Sequence, residues 1–304
     1  MQKITPCLWF DDNTEEAVNF YTSVFKDGKI LNASRYNEEG AKAAGRPVGS
    51  VMTMIFELNG FKFMALNGGP VFKINPSVSF MLNFDPSRDK NARENLDNLW
   101  KHLSPDGIIR MPLDKYPFSE HYGWIEDKFG VNWQLILTNP EGEERPFIIP
   151  SLMFTNEVCG KAEEATDLYH SVFNDAKRGL IARYPQGMEP DKEDTIMFTD
   201  FMIVSQWFAA MDSAREHKFR FNEAVSFMVT CDTQKDIDYY WNKLSAVAES
   251  EQCGWLKDKY GLSWQIVPTI MGELMSSNDA EKSKRVMQAM LQMKKIDIAG
   301  LESA

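Results

Sequence analysis

The sequence predicts an α+β chain of four βαβββ modules, two in each of two tandem copies, followed by a C-terminal helix. Three observations carry this. GWIEDKFGVNWQ (Gly123–Gln134) returns as GWLKDKYGLSWQ (Gly254–Gln265) with seven of twelve positions identical, where chance gives about one. PCLWF (Pro6–Phe10) with EEAVNFYTSVF (Glu15–Phe25) returns as PSLMF (Pro150–Phe154) with EEATDLYHSVF (Glu163–Phe173), and VSFMLNFD (Val78–Asp85) returns as VSFMVTCD (Val225–Asp232). Within each copy, runs of strand-like alternation are broken by one segment of helical spacing per module.

In chain order, ITPCLWF alternates as a strand, and EEAVNFYTSVF places Val18, Tyr21, Val24 and Phe25 on one helical face. Asn13 or Thr14 is placed to cap that helix, and Glu15 and Glu16 suit its dipole. The runs ILNASRY, VMTMIFEL and FKFMALN read as three strands, the last two joined by Asn59-Gly60, a strong hairpin signal. A second module follows: strand SVSFMLNFD, helix NARENLDNLWKHLS, and strands IIRMPLDKYPF, YGWIEDKF and VNWQLIL. DKFG and DKYG read as the turns of the last hairpins, with Gly130 and Gly261 supplying positive φ.

The offset between copies runs 144, 148 and 147, then falls to 131, so the second copy is shorter by about sixteen residues between its second helix and last hairpin. The linker TNPEGEERPF (Thr138–Phe147) separates the copies. The expected domains are residues 1–140 and 148–272. An amphipathic helix is expected over 278–299, with Val286, Met287, Met290 and Met293 on its apolar side; it reads as a brace on the second copy, with a homodimer or partner contact as the alternative.

The chain has 304 residues, 43% of them hydrophobic and 25% charged, enough for about two globular domains. No apolar run approaches a membrane span and the N-terminus is unlike a signal peptide, so a cytoplasmic location is expected. A formal charge of −11 with no basic patch speaks against nucleic acid and anionic membrane surfaces. Cys7, Cys159, Cys231 and Cys253 have no paired spacing and read as small buried hydrophobes.

Taken in order, PCLWF…EEAVNFYTSVF, ALNGGPVFKINPSVSFML and YGWIEDKFGVNWQLI resemble the PhnB-like branch of the vicinal oxygen chelate superfamily, the glyoxalase/bleomycin-resistance/dioxygenase fold. The resemblance spans nearly the whole chain twice. It implies paired βαβββ modules whose strands curl into half-open barrels around a cavity. The branch carries the label 3-demethylubiquinone-9 3-methyltransferase. The residues speak against methyl transfer of the common type, which needs a Gly-rich loop after the first strand of a doubly wound sheet. Here DDNTEEA follows that strand, and the glycines of GAKAAGRPVG (Gly40–Gly49) are too loosely spaced.

The resemblance also implies a divalent metal held by His and Glu of the first and last strands of the modules, polarising substrate oxygens. The histidine position falls on Pro6 and Pro150, and the glutamate position on Gln134 and Gln265. Ser79, Ser226, Asn67 and Asp212 complete a weak donor set. His102 and His170 fall on helices, while His121 and His217 have no counterpart in the other copy, so all four read as structural. No metal or other cofactor is expected.

The candidate ligand-binding residues are therefore Asn67, Ser79, Trp124, Gln134, Asp212, Ser226, Trp255 and Gln265. Trp133 and Trp264 read as core, and Asp127-Lys128 and Asp258-Lys259 as turn chemistry. Gln134 and Gln265 stand out, because a buried amide among apolar strand residues needs a hydrogen-bond partner. Catalytic residues are not identifiable: no Ser or Cys sits in a nucleophile elbow. The function expected is binding of a small organic molecule in a barrel cavity. The alternatives are a divalent-metal-dependent lyase, transferase or dioxygenase, and a structural or interaction protein.

Overall fold

The computed structural model describes residues 2–275 and 280–304. Met1, and Asn278 and Asp279 at the head of the expected tail helix, lie outside the described residues. The first module comprises β1 (Ile4–Phe10), α1 (Thr14–Val24), β2 (Lys29–Arg35), α2 (Glu38–Ala44), β3 (Val51–Leu58) and β4 (Phe61–Asn67). The second comprises β5 (Val78–Phe84), α3 (Ala92–Leu103), β6 (Ile108–Tyr116), β7 (Ser119–Glu126) and β8 (Asn132–Leu137). The third comprises β9 (Ile148–Thr155), α4 (Ala162–Val172), β10 (Lys177–Arg183), β11 (Ile196–Ile203) and β12 (Gln206–Ser213). The fourth comprises β13 (Val225–Cys231), α5 (Gln234–Leu244), β14 (Trp255–Lys257) and β15 (Ser263–Pro268), and the tail carries α6 (Met271–Met275), α7 (Ala280–Leu291) and α8 (Ile298–Glu302).

The α+β class and the modular plan hold. The fourth module, however, passes from α5 to β14 without a strand matching β6, which is where the sequence loses its sixteen residues. The tail helix expected over 278–299 is divided into α7 and α8, and two further helices are not anticipated: α6 and, within the first module, α2. Its signals are local: the Asn37 side chain accepts from Gly40 N, Glu38 and Glu39 fill the first turn, and Gly45 closes it at φ 64°. The Asn59-Gly60 hairpin is present, with φ of 49° and 79° as a type I′ turn requires.

The chain divides into two compact units, each drawing on both copies of the repeat. One unit comprises residues 1–22, 29–73 and 221–304, and the other residues 23–28 and 74–220. The first unit has a seven-stranded sheet, β14-β15-β13-β1-β4-β3-β2, joining the first module to the fourth; the second unit has an eight-stranded sheet, β10-β11-β12-β9-β5-β8-β7-β6, joining the second to the third. In each, two first strands meet antiparallel: Cys7 opposite Ser226, and Ser79 opposite Ser151.

The linker explains the exchange in the second unit. Asn83 N donates to Phe147 O and Asn83 Nδ2 to Pro146 O, both at 2.8 Å, so the chain leaving β8 crosses β5 and lays β9 along its free edge. A short connection reaches a neighbouring edge more readily than a distant one.

Core packing follows the pleat. Trp133 and Trp264 are fully buried, as expected of core residues, with ring centroids 5.5 Å from Phe80 and 5.7 Å from Phe227. Phe25, just beyond α1, adds a third ring 5.1 Å from Trp133. Cys7 and Cys231 are buried, Cys159 and Cys253 half-buried, and all four are free. Among the described residues, no helix is long and apolar enough to cross a membrane.

Candidate functional site

The repeated hairpin presents its own chemistry first. Asp127 is buried and its Oδ1 accepts Phe129 N at 2.8 Å and Val131 N at 3.0 Å, while Oδ2 accepts Trp133 Nε1 at 2.8 Å. Asp258 does the same for Tyr260 N, Leu262 N and Trp264 Nε1 at 2.9, 3.1 and 3.0 Å. The expected turn is there, but its aspartate is a buried clamp on the core tryptophan, a role the spacing D-x5-W could have suggested. The glycine that opens each copy of the motif serves a different need. At Gly123 a Cβ would stand 2.6 Å from the Trp100 ring, whereas Gly254 has φ of 86° and its Cβ would meet Ile266 O at 2.9 Å.

The tryptophan clamp sets the opposite face of the strand. Residues alternate faces, so Asn132, Gln134 and Ile136 of β8 share the face away from Trp133. In the second unit Gln134 Nε2 donates to Ser79 Oγ at 2.8 Å, and Gln134 Oε1 accepts the Tyr122 hydroxyl at 2.7 Å. Directly across the strand pair from Ser79 lies Ser151, whose buried Oγ has no hydrogen-bond partner. Trp124 joins this face by donating from Nε1 to Asn132 Oδ1 at 3.1 Å. Sequence reasoning missed Ser151 and Tyr122; the signal for Ser151 is its place one residue after Pro150, where β9 turns its other face.

Around this polar floor the lining is apolar. Tyr122, Trp124 and Met153 pack with Met111, Tyr116, Ile136, Met211 and Phe219, and Met81, Ile149 and Ala209 pack with Ile136, Phe198 and Trp207. A cleft of about 470 Å³ adjoins it, lined by Ile74, Pro76, Phe219, His217 and the Arg110–Glu126 pair, whose Nη2 and Oε2 are 2.5 Å apart. Phe219 belongs to both the lining and the cleft. Glu126 shares the face of Tyr122 and Trp124 by alternation along β7. The linker contributes Arg145, whose guanidinium lies 3.8 Å from the Trp207 ring and donates from Nε to Asp200 Oδ2 at 2.6 Å.

In the first unit the matching set is Gln265, Ser226 and Cys7. Gln265 Nε2 donates to Ser226 Oγ at 2.9 Å, and the buried Oγ of Ser263, two residues before Gln265, has no partner. Trp255 pairs with Gln265 across the hairpin, and its ring lies 6.1 Å from Trp9.

Two expected ligand-binding residues support helix starts. Asn67 Oδ1 accepts Thr14 N at 3.0 Å and its Nδ2 donates to Val51 O, so it supports the start of α1 from across the sheet. Asp212 Oδ1 accepts Gly160 N and Ala162 N, and Oδ2 accepts Ile196 N, giving α4 the same support. Most of their hydrogen-bonding capacity serves backbone groups. Pro6 and Pro150 face Phe227 and Phe80 across the strand pairs, so the residues facing the serines are their neighbours Cys7 and Ser151.

Electrostatically both floors are neutral. Burial pushes the Cys7 thiol up to about 12 against weaker opposing hydrogen bonds from Gln265 and Ser226, and burial likewise raises the Tyr122 phenol. Hydroxyls, amides and an un-ionised thiol are a poor donor set for a divalent cation, which prefers carboxylate, imidazole or thiolate. Among the described residues, no three His, Cys, Asp or Glu side chains are placed to hold a metal ion. The histidines lie outside the floors: His121 Nε2 is 2.6 Å from Asp97 Oδ1, His217 Nε2 is 2.8 Å from Ser213 Oγ at the cleft, and His170 stands edge-on to Phe201.

These features agree with what the chain is similar to. It matches the 3-demethylubiquinone-9 3-methyltransferase family over residues 2–136 and 146–267. No curated protein matches it. Among solved structures it is similar to the PhnB protein from Bacillus cereus, 40% identical over 45% of this chain and 100% of that one, with a TM-score of 0.40. A Staphylococcus aureus protein is 32% identical over 46% of this chain and 98% of that one, with a TM-score of 0.19. Glyoxalase I from Zea mays is 11% identical over 91% of this chain and 98% of that one, with a TM-score of 0.52, a likeness of fold. With both repeats matched, the chain belongs to the 3-demethylubiquinone-9 3-methyltransferase family, and its fold is like that of glyoxalase I.

Proposed function

We propose that the second unit binds a small, mainly apolar molecule through one neutral hydrogen-bonding group, with no metal bridging the two. The observation that carries this reading is the buried Ser151 hydroxyl, left without a partner beside the Ser79–Gln134–Tyr122 chain. A buried hydroxyl without a hydrogen bond costs about 1–3 kcal/mol, and a ligand carbonyl or hydroxyl placed there would recover part of that. Methionines and aromatic rings around it suit a flat or flexible apolar body, since thioethers adapt their shape to what they contact. Glyoxalase-like metal chemistry would need charged donors at Gln134 and Ser79, and both are neutral here.

The test is a thermal-shift screen of neutral aromatic ketones, amides and phenols, run with and without manganese, nickel and zinc. Stabilisation by neutral compounds in the absence of metal supports the reading, because a native-state binder raises the melting temperature by linkage. Stabilisation that requires a divalent ion favours the metal-dependent lyase, transferase or dioxygenase instead. No response to any compound or ion favours an interaction protein.

A further inference from the structure

We infer that the second unit takes its ligand by a carbonyl oxygen held between two donated hydrogen bonds, from Ser79 and Ser151, and that Tyr122 sets this polarity. The inference rests on the binding reading above and names the chemistry that the floor accepts. Ser79 and Ser151 stand directly opposite each other on the antiparallel pair β5–β9, both buried, with no bond between them. By alternation along their strands they share a face with Met81, Ile149 and Met153 of the apolar lining. Opposed side chains on such a pair have Cβ atoms about 4.5–5.5 Å apart. One oxygen atom set above that gap reaches both hydroxyls.

The directions of the bonds follow from which atoms own protons. The Tyr122 hydroxyl donates to Gln134 Oε1 at 2.7 Å, and an amide oxygen can only accept. Burial pushes the Tyr122 phenol up, so it keeps its proton through the neutral range. Gln134 Nε2 is thereby turned to Ser79 Oγ, at 2.8 Å, and an amide nitrogen can only donate. Ser79 accepts that bond and retains its own proton, and Ser151 retains its proton with no partner at all. A ketone or amide oxygen takes both protons. An alcohol brings a third proton to the same two bonds, so one hydroxyl proton is left buried without an acceptor. The first unit supplies the contrast. There Ser226 lies opposite Cys7 and Gln265 donates to Ser226 in the same way, but Gln265 and Ser226 both hydrogen-bond the Cys7 thiol, and Cys253 holds the place of Tyr122 in the repeat. That opposed pair satisfies itself, and the Ser79–Ser151 pair does not.

Tyr122 acts through Gln134 and is a positioning residue, so the test reads preference between two ligands within one protein, a ratio that a loss of folded fraction does not move. Ligand-observed NMR titrations of the full chain, without metal, compare acetophenone with the alcohol formed by its reduction, and benzophenone with benzhydrol. The wild-type chain is expected to bind each ketone about tenfold more tightly than its alcohol, the effect of one unpaired buried hydroxyl. Tyr122→Phe keeps the ring and frees the amide to turn, which lets Ser79 accept from an alcohol; the preference is expected to fall to about threefold or less. The infrared carbonyl stretch of isotope-labelled acetophenone is expected to lie lower in the wild-type complex than with Ser79→Ala or Ser151→Ala, each of which removes one donor. Alcohols bound as tightly as their ketones, or more tightly, would show Gln134 turned the other way and overturn the inference, while the binding reading stands if Ser151→Ala weakens both. A ketone preference unchanged in Tyr122→Phe would also overturn it. If none of these probes binds, the binding reading falls and the inference falls with it.

Discussion

Trp133 Nε1 donates to Asp127 Oδ2 at 2.8 Å, and Trp264 repeats the bond to Asp258 at 3.0 Å. Each aspartate thereby ties a hairpin turn to the largest ring of its core. The repeated motif is kept twice because each sheet needs the clamp, which fixes which face of β8 and β15 carries the glutamine.

Replacing that clamp should be costly. Asp127→Ala strands three donors, two of them backbone amides, and charged hydrogen bonds contribute about 1.5–3 kcal/mol each. Urea unfolding is expected to show a loss of about 3 kcal/mol or more, against less than about 0.5 kcal/mol for the neighbouring Lys128→Ala. Similar losses at both positions would contradict the clamp.

Asn67 and Asp212 are placed as supports of α1 and α4. Asp212→Ala is expected to cost about 1–2 kcal/mol or more, as lost helix caps do, and to leave ligand affinity in the second unit unchanged. Chemical denaturation together with titration of any screening hit separates the roles; weaker binding without destabilisation would return Asp212 to the site.

Arg145 and Asp200 are nearly buried together, with 12% and 9% of their side chains exposed. Arg145→Ala would leave Asp200 charged and short of a partner, so a loss of about 3 kcal/mol is expected. Arg145→Lys should recover only part, because lysine lacks the planar fork that stacks on Trp207 while pairing. Full recovery by lysine would show that charge alone matters.

His170 predicts a direction with pH. Desolvation by burial lowers it from its ordinary 6.5. The unfolded chain then binds more protons than the native one as pH falls below 6.5, so native stability declines from pH 7 toward pH 5. His170→Gln should flatten that decline in denaturant midpoints measured across the range. An unchanged slope would place the loss on other groups.

Much of the fold is legible in the sequence because it is local. Alternation places β1, β3 and β4 at their observed bounds, and Asn59-Gly60 and Gly130 mark the β3–β4 and β7–β8 turns. Pairing between modules is not local: nothing in β5 distinguishes β9 from β1 as its partner, and the linker contacts at Asn83 settle it. The site divides the same way. Gln134 and Gln265 are readable as buried amides needing partners, and Ser79 and Ser226 are those partners. The helix support given by Asn67 and Asp212 was not legible, because strand position shows a polar residue but not that a helix starts beside it. Ser151 needed the antiparallel register, one residue away from the proline that the family pattern points to.

The central claim is that the unpartnered Ser151 hydroxyl is a ligand's hydrogen-bonding position. Its most direct test is calorimetric titration of a neutral screening hit into the wild-type chain and Ser151→Ala, both without metal. The account predicts that Ser151→Ala folds as stably as the wild type or more so, having lost a buried hydroxyl with no partner, yet binds about tenfold or more weakly, a difference of about 1.4 kcal/mol. Equal affinity in the two proteins would contradict it.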